Sequence, residues 1–289
     1  MKNKIIKFNL LSFYIALGLL LFPNTSRALR DIPDDNLAYP VLVTTEDGTS
    51  ATGFYINHLN RIYFITAKHV IFKEPENILR SKSLTLLSYP KDLKEVGKNL
   101  VELNMEKLQK NGMVKKHNSQ DVASVFIGKA DERGGPIAFN DGLAMKIQSK
   151  SGIVGVNTSE TIKLFRDVLV GNEVLIFGYP TSLGIKEIKQ IQHDKPLIRK
   201  GIVAGKNSEY ENIIIDCPTY PGNSGGPVIE KEQISLGKCE FKLIGLISQF
   251  VPFEEIWLSK RFGLENRQWQ NSGYSIVVPV DTIMELIKE

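Results

Sequence analysis

After the first thirty residues the chain shows little helical periodicity. Short apolar runs recur instead, at Tyr39–Thr45, Thr52–Ile56, Tyr63–Thr66, Ser83–Leu87, Val122–Ile127, Glu173–Phe177, Asn212–Cys217, Phe241–Ser248 and Ser275–Val278. Most are rich in Val, Ile, Leu, Phe, Tyr or Thr and lie near Gly, Pro, Asn or Asp, the pattern of strands separated by turns. Their spacing predicts β-barrels or a sandwich rather than alternating strand and helix units. Two stretches depart from it. Lys91–Lys110 is charged with some helical character and reads as a surface excursion. At the end, Val280, Ile283, Met284 and Ile287 recur at helical spacing behind Asp281, which predicts a short closing helix with Asp281 as its N-cap.

The opening residues follow a third pattern. Lys2, Lys4 and Lys7 precede an apolar stretch, Leu10–Phe22, and Ser26-Arg27-Ala28 places small residues where a signal peptidase reads them. The stretch is shorter than the ~20 residues needed to span a bilayer. Residues 1–28 are therefore expected to be a cleaved signal peptide, leaving an exported protein, periplasmic or extracellular, with no stable membrane anchor. The four basic residues of that segment, with no acid among them, account for the whole net charge of +4. The remainder is formally neutral, so bulk charge gives no support for nucleic acid as a partner. Two cysteines are too few for a disulfide scaffold or a four-thiolate zinc site. Cys217 and Cys239 could bridge in an oxidising compartment or remain two thiols.

The most informative stretch is Pro221-Gly222-Asn223-Ser224-Gly225-Gly226-Pro227. Glycines on both sides of a serine permit a tight turn and the close approach of a substrate carbonyl. The Gly222 and Ser224 amides are then placed to serve as an oxyanion hole. A serine hydroxyl needs a base within reach. Of His58, His69, His117 and His193, only His69 follows a strand that runs into small residues, Tyr63-Phe64-Ile65-Thr66-Ala67-Lys68; the others sit in polar, loop-like surroundings. The imidazole needs an orienting carboxylate in turn. Asp121, at the head of the apolar run Val122–Ile127, is the candidate. Gly201–Asn207 superficially resembles a phosphate loop but has one residue too few between its glycines and no Ser or Thr after the lysine, so it reads as a strand. No metal or cofactor motif is present, and none is expected to be required.

Thr66-Ala67-Lys68-His69, Asp121-Val122-Ala123 and Gly222-Asn223-Ser224-Gly225-Gly226-Pro227 together resemble the three motif blocks of chymotrypsin-fold, trypsin-like serine proteases, in the order His, Asp, Ser and at gaps of 52 and 103 residues. Gly53-Phe54-Tyr55-Ile56 resembles the family's opening strand, with Ala51 where its first glycine belongs, and Gly245-Leu246-Ile247-Ser248 resembles the strand that flanks bound substrate. The resemblance implies an all-β fold of two packed six-stranded antiparallel barrels with a short C-terminal helix. It implies an N-terminal barrel (29–155) carrying His69 and Asp121, and a C-terminal barrel (156–289) carrying Ser224 and the oxyanion hole. It implies a serine endopeptidase acting on protein or peptide substrates through an acyl-enzyme. Asn223 stands where activated zymogens of this family keep an Asp, so no N-terminal insertion switch is expected. The Asn form, with Thr66-Ala67-Lys68-His69-Val70, resembles bacterial secreted members, including periplasmic Deg-type proteases and glutamyl endopeptidases. The chain ends about 65 residues past Ser224, so no PDZ domain is expected. By the family's layout Thr219, Tyr220, Ser248 and Phe250 should line the substrate pocket. No Asp stands at the pocket base and Ile247 replaces the histidine of glutamyl endopeptidases, which leaves a small or medium apolar side chain as the expected preference. Two rival readings are a binding protein that keeps the barrels without cutting, and an esterase or narrow regulatory protease.

Overall fold

The computed structural model describes residues 32–288, leaving aside 74, 93, 96, 131–137, 140, 147–151, 182–187 and 236, and describes residues 34, 35, 138, 139, 145 and 146 by their backbone alone. The expected signal peptide lies outside the described residues.

The first half begins with a meander, β1 (Pro40–Thr45), β2 (Ser50–His58) and β3 (Arg61–Thr66). Leu59 and Asn60 join β2 to β3 with φ of 49° and 63°. Both values are left-handed, as a two-residue turn that matches strand twist requires. This turn fixes Phe54 opposite Ile65 and Gly53 opposite Thr66. A one-turn helix α1 (Lys68–Ile71) and a two-residue ladder, β4 (Phe72–Lys73) with β5 (Ile78–Leu79), follow. Next come β6 (Ser83–Ser88), β7 (Asn99–Asn104), helix α2 (Met105–Lys110), β8 (Val114–Lys116), β9 (Ala123–Lys129), β10 (Ala138–Phe139), β11 (Leu143–Lys146) and β12 (Gly155–Asn157). They form a ten-stranded sheet in the order β10-β9-β3-β2-β1-β6-β7-β11, with β8 beside β9 and β12 parallel to β2. This half is therefore larger than the six-stranded barrel expected, and no ladder joins its two ends among the described residues.

The second half is a closed six-stranded barrel. It contains β13 (Glu173–Gly178), β14 (Leu197–Asn207), β15 (Asn212–Asp216), β16 (Pro227–Ser235), β17 (Lys238–Ser259) and β18 (Leu264–Pro279), closed in the order β13-β14-β15-β18-β17-β16. Val174, Ile176, Val203, Ile213, Ile215, Val228, Ile244 and Val277 fill its core. The fold is all-β and chymotrypsin-like, as expected. The terminal helix α3 (Val280–Ile287) turns back onto the first sheet, where Val280, Ile283, Met284 and Ile287 join the core of Phe54, Phe64, Val101 and Val125. No described helix is long and apolar enough to cross a membrane.

Two expectations need correction. Lys91–Lys110 is not an excursion, because β7 lies inside the sheet and Val101, Leu103, Met105 and Leu108 are buried beneath its charged residues. Asp281 is not the N-cap of α3. Pro279 holds that position without a side-chain cap, and Asp281 sits in the first turn, where its carboxylate accepts the Phe165 amide at 2.7 Å.

Candidate active site

The site is assembled from both halves. β3 delivers the chain into α1, whose second residue is His69. Asp121, two residues before β9, meets it with both carboxylate oxygens. Oδ1 accepts the His69 backbone amide at 3.0 Å, and Oδ2 lies 2.8 Å from His69 Nδ1. An ionised carboxylate only accepts hydrogen bonds, so this contact puts the imidazole proton on Nδ1 and leaves Nε2 with a free lone pair. The Ser248 hydroxyl donates to the same Oδ2 at 2.7 Å. Burial opposes the charge on Asp121, but the His69 and Ser248 hydrogen bonds outweigh it and hold the carboxyl below its ordinary range. Arg80 Nε adds a bond to the His69 carbonyl at 3.1 Å and so holds α1 from its other side.

Ser224 occupies the turn between β15 and β16. Gly222 has φ +97°, and a Cβ there would lie 2.2 Å from the Tyr179 carbonyl oxygen. Gly225 has φ +82°, and a Cβ there would fall 2.2 Å from both the Thr52 carbonyl and the Thr66 hydroxyl. Each position demands glycine by conformation and by contact. Between them Asn223 is buried and reciprocal. Its amide donates to the Tyr220 carbonyl at 2.9 Å, and its Oδ1 accepts the Tyr220 amide at 3.0 Å. A neutral amide therefore shapes the turn from within. Asn223 and Gly225 spend their amides on Tyr220 and Ile247. Among the described residues the Gly222 and Ser224 amides donate to no other group.

Thr52 on β2 ties this turn to the first sheet. Its hydroxyl donates to the Gly222 carbonyl at 2.6 Å and accepts the Tyr179 amide at 3.0 Å. Its amide donates to the Ser224 carbonyl at 3.0 Å, and its carbonyl accepts the Thr66 hydroxyl at 2.7 Å. Nothing in the local sequence announces this role, since the Gly222 partner lies 170 residues away.

A cavity of about 810 Å3 opens over the site. His69, Asp121, Gly222 and Ser224 line it, as do Thr219, Tyr220, Ser248 and Phe250. Lys68 and Arg80 lie on the same wall and were not anticipated, although Lys68 adjoins His69 in sequence. The Ser224 hydroxyl donates to the Ser248 carbonyl at 3.3 Å, and no hydrogen bond joins it to His69. Ser248 thus touches both ends of the array, its hydroxyl on Asp121 and its carbonyl under Ser224. The Thr219 hydroxyl pairs with Ser275 at 2.8 Å.

The other histidines lie elsewhere. His58 pairs with Thr158, and His117 accepts the Gln120 amide while its Nε2 stands 3.3 Å from Glu285. The two cysteines are free, Cys217 buried and Cys239 half-buried. Among the described residues no three His, Cys, Asp or Glu side chains gather as a metal site.

The family described as "Trypsin-like peptidase domain" matches residues 51–236. Among solved structures the chain is similar to a serine endoprotease from Yersinia pestis, at 16% identity and a TM-score of 0.46, covering 87% of this chain and 62% of that one. It is also similar to Deg5, at 14% identity and a TM-score of 0.47, covering 88% of this chain and 89% of that one. A third is the protease Anisep from Arthrobacter nicotinovorans, at 14% identity and a TM-score of 0.43, covering 84% and 90%. The chain spans about three fifths of the length of the Yersinia protein. No curated protein matches it.

Proposed function

The chain belongs to the family of trypsin-like peptidase domains, and from that premise we propose that it is an exported serine endopeptidase whose chemistry is carried by Ser224, His69 and Asp121. The observation that carries this reading is the 2.8 Å contact between His69 Nδ1 and Asp121 Oδ2 on the wall of the cavity that also holds Ser224. Asp121 fixes the tautomer and stabilises the imidazolium that forms, while Nε2 takes the proton of Ser224 as its oxygen attacks the peptide carbonyl. In the resting arrangement the hydroxyl is turned toward the Ser248 carbonyl. The attack therefore begins with a rotation about χ1 that exchanges this acceptor for His69, in keeping with the tightening of catalytic hydrogen bonds when substrate binds. The Gly222 and Ser224 amides stabilise the oxyanion. His69 then gives its proton to the leaving amine, and a water that it deprotonates releases the acyl group.

Thr219, Tyr220, Ser248 and Phe250 receive the side chain that precedes the scissile bond. The hydroxyls of Thr219 and Ser248 are already engaged, with Ser275 and Asp121. None of the four carries a charge, which favours an apolar side chain of small or medium size.

A fluorophosphonate reacting with the protein tests the assignment. A single adduct on Ser224 by mass spectrometry, absent in His69→Ala and in denatured protein, is the expected result. Labelling that survives His69→Ala overturns the triad. Failure to label a well-folded chain directs attention to the binding-protein reading.

A further inference from the structure

Beyond the barrel wall, β17 and β18 continue as a two-stranded arm, paired from Pro252 opposite Asn271 to Ser259 opposite Leu264. From Ser248, at the cleft, to Ser259 is eleven residues of strand, about 36 Å at ~3.3 Å per residue. No other strand flanks the arm among the described residues. A two-stranded ribbon of this kind is marginal in water on its own, yet its outer part presents Trp257, Leu258, Phe262, Leu264 and Trp269, each 59–69% exposed.

Alternation along the strands distributes these side chains over both faces. Trp257 shares a face with Leu264, while Leu258 and Trp269 project from the other, and Phe262 stands in the turn. A folded partner would cover one face of such a ribbon and leave the second in water. A fluid interface surrounds both. Charge points the same way. Ile256–Leu264 contains Lys260 and Arg261 and no acid. The acids further along are engaged: Arg267 holds Glu254 and Glu265, and Gln270 donates to Glu255. Arg261 lies over the Phe262 ring, and neither Lys260 nor Arg261 takes part in an ion pair among the described residues. Aromatic and aliphatic side chains mixed with unpaired cations are the composition of segments that settle among anionic headgroups.

We propose that the tip of this arm, Ile256–Leu264, is an interfacial anchor that dips into the headgroup region of an anionic lipid bilayer. The ribbon's own ladder satisfies half of its backbone groups. The outer edges stay unpaired, so the insertion is shallow and does not cross the hydrocarbon. The cleft then stands some tens of ångströms above the surface, at a height set by β17.

The chain contains its own probe, because its two tryptophans, Trp257 and Trp269, both lie on the arm. The full chain is titrated with vesicles of phosphatidylcholine alone and of equal parts phosphatidylcholine and phosphatidylglycerol. A blue shift of the emission, with quenching by acyl-brominated lipid, is expected on the anionic vesicles only. This readout does not register lipid binding by any other segment, the apolar run Leu10–Phe22 included. Lys260→Glu combined with Arg261→Glu should weaken the response roughly tenfold or more, whereas Lys260→Arg should leave it intact. Phe262→Ser, which keeps both cations, should reduce the quenching. Far-UV circular dichroism verifies that each variant is folded. Absence of shift and quenching at saturating anionic lipid overturns the proposal. So does a blue shift that appears without lipid as protein concentration rises, since the arm would then be covered by a second copy of the chain.

Discussion

Thr52→Val removes one oxygen atom from the junction between the two halves and little else, because valine has nearly the shape of threonine. Thr52 is fully buried. Two backbone groups depend on its hydroxyl, the Gly222 carbonyl at 2.6 Å and the Tyr179 amide at 3.0 Å, and both belong to buried residues. Leaving a buried polar group without a partner costs about 1–3 kcal/mol, so the pair predicts a loss of about 2–6 kcal/mol. That is a large share of the roughly 5–15 kcal/mol that holds a domain folded. Catalysis should suffer separately. With the Gly222 carbonyl released, the turn that presents Ser224 loses its tie to β2, and a displacement of about 1 Å in a catalytic group lowers rates by roughly a hundredfold. Stability is read by urea unfolding followed in the far-UV, since the two tryptophans report on the arm rather than on either core. Catalysis is read as the second-order rate of fluorophosphonate labelling of Ser224. Thr52→Ser, which restores the hydroxyl, should regain most of the labelling rate. A Thr52→Val protein that unfolds within about 0.5 kcal/mol of the parent and labels within twofold would refute the idea that this hydroxyl holds the turn.

Lys163 reaches Glu230 at 2.9 Å and Glu232 at 2.7 Å, and the Glu230 side chain is fully buried. Lys163→Met leaves that carboxylate without its cation and should destabilise the fold by about 3–5 kcal/mol, measured by urea unfolding at neutral pH. Asp121 has a carboxyl held below its ordinary range by hydrogen bonds that outweigh its burial. Its contribution is therefore fully present above the unfolded-state value of about 3.9 and fades as pH falls through the folded value. The stability gap between the parent and Asp121→Asn should close as pH falls below about 4; a gap unchanged at pH 3 would contradict this. Burial pushes the Cys217 thiol up to about 11, so iodoacetamide at pH 8 should modify Cys239 in the native protein and Cys217 only after unfolding, as peptide mass mapping would reveal.

The residues that a single local pattern marks were legible in the sequence. Val122–Ile127 and Glu173–Phe177 look like strands because one or both faces are buried, and the glycines around Ser224 mark a turn that no other residue could form. The arm was not legible. Phe253 through Trp269 does not alternate between apolar and polar positions, because neither face of the ribbon packs against a core. Without burial on one side, nothing imprints a period of two on the sequence. Lys91–Lys110 misled for the opposite reason, since its charges sit at the exposed positions of a strand and helix whose alternate residues are buried. Ser248 was expected on the pocket wall from its resemblance alone. That its hydroxyl reaches Asp121 depends on a contact 127 residues away along the chain, and such a contact leaves no local signal.

Helix α3 makes the scaffold of the first sheet depend on a docking step. Ile283, Met284 and Ile287 share one core with residues of β3 and β9, the strands that lead into α1 with its His69 and on from Asp121. A helix of eight residues has no stability of its own in water, so α3 forms only as it docks. Until it does, the first sheet lacks part of its interior. A chain in which α3 is undocked therefore carries every chemical group of the candidate site without the scaffold that aligns them.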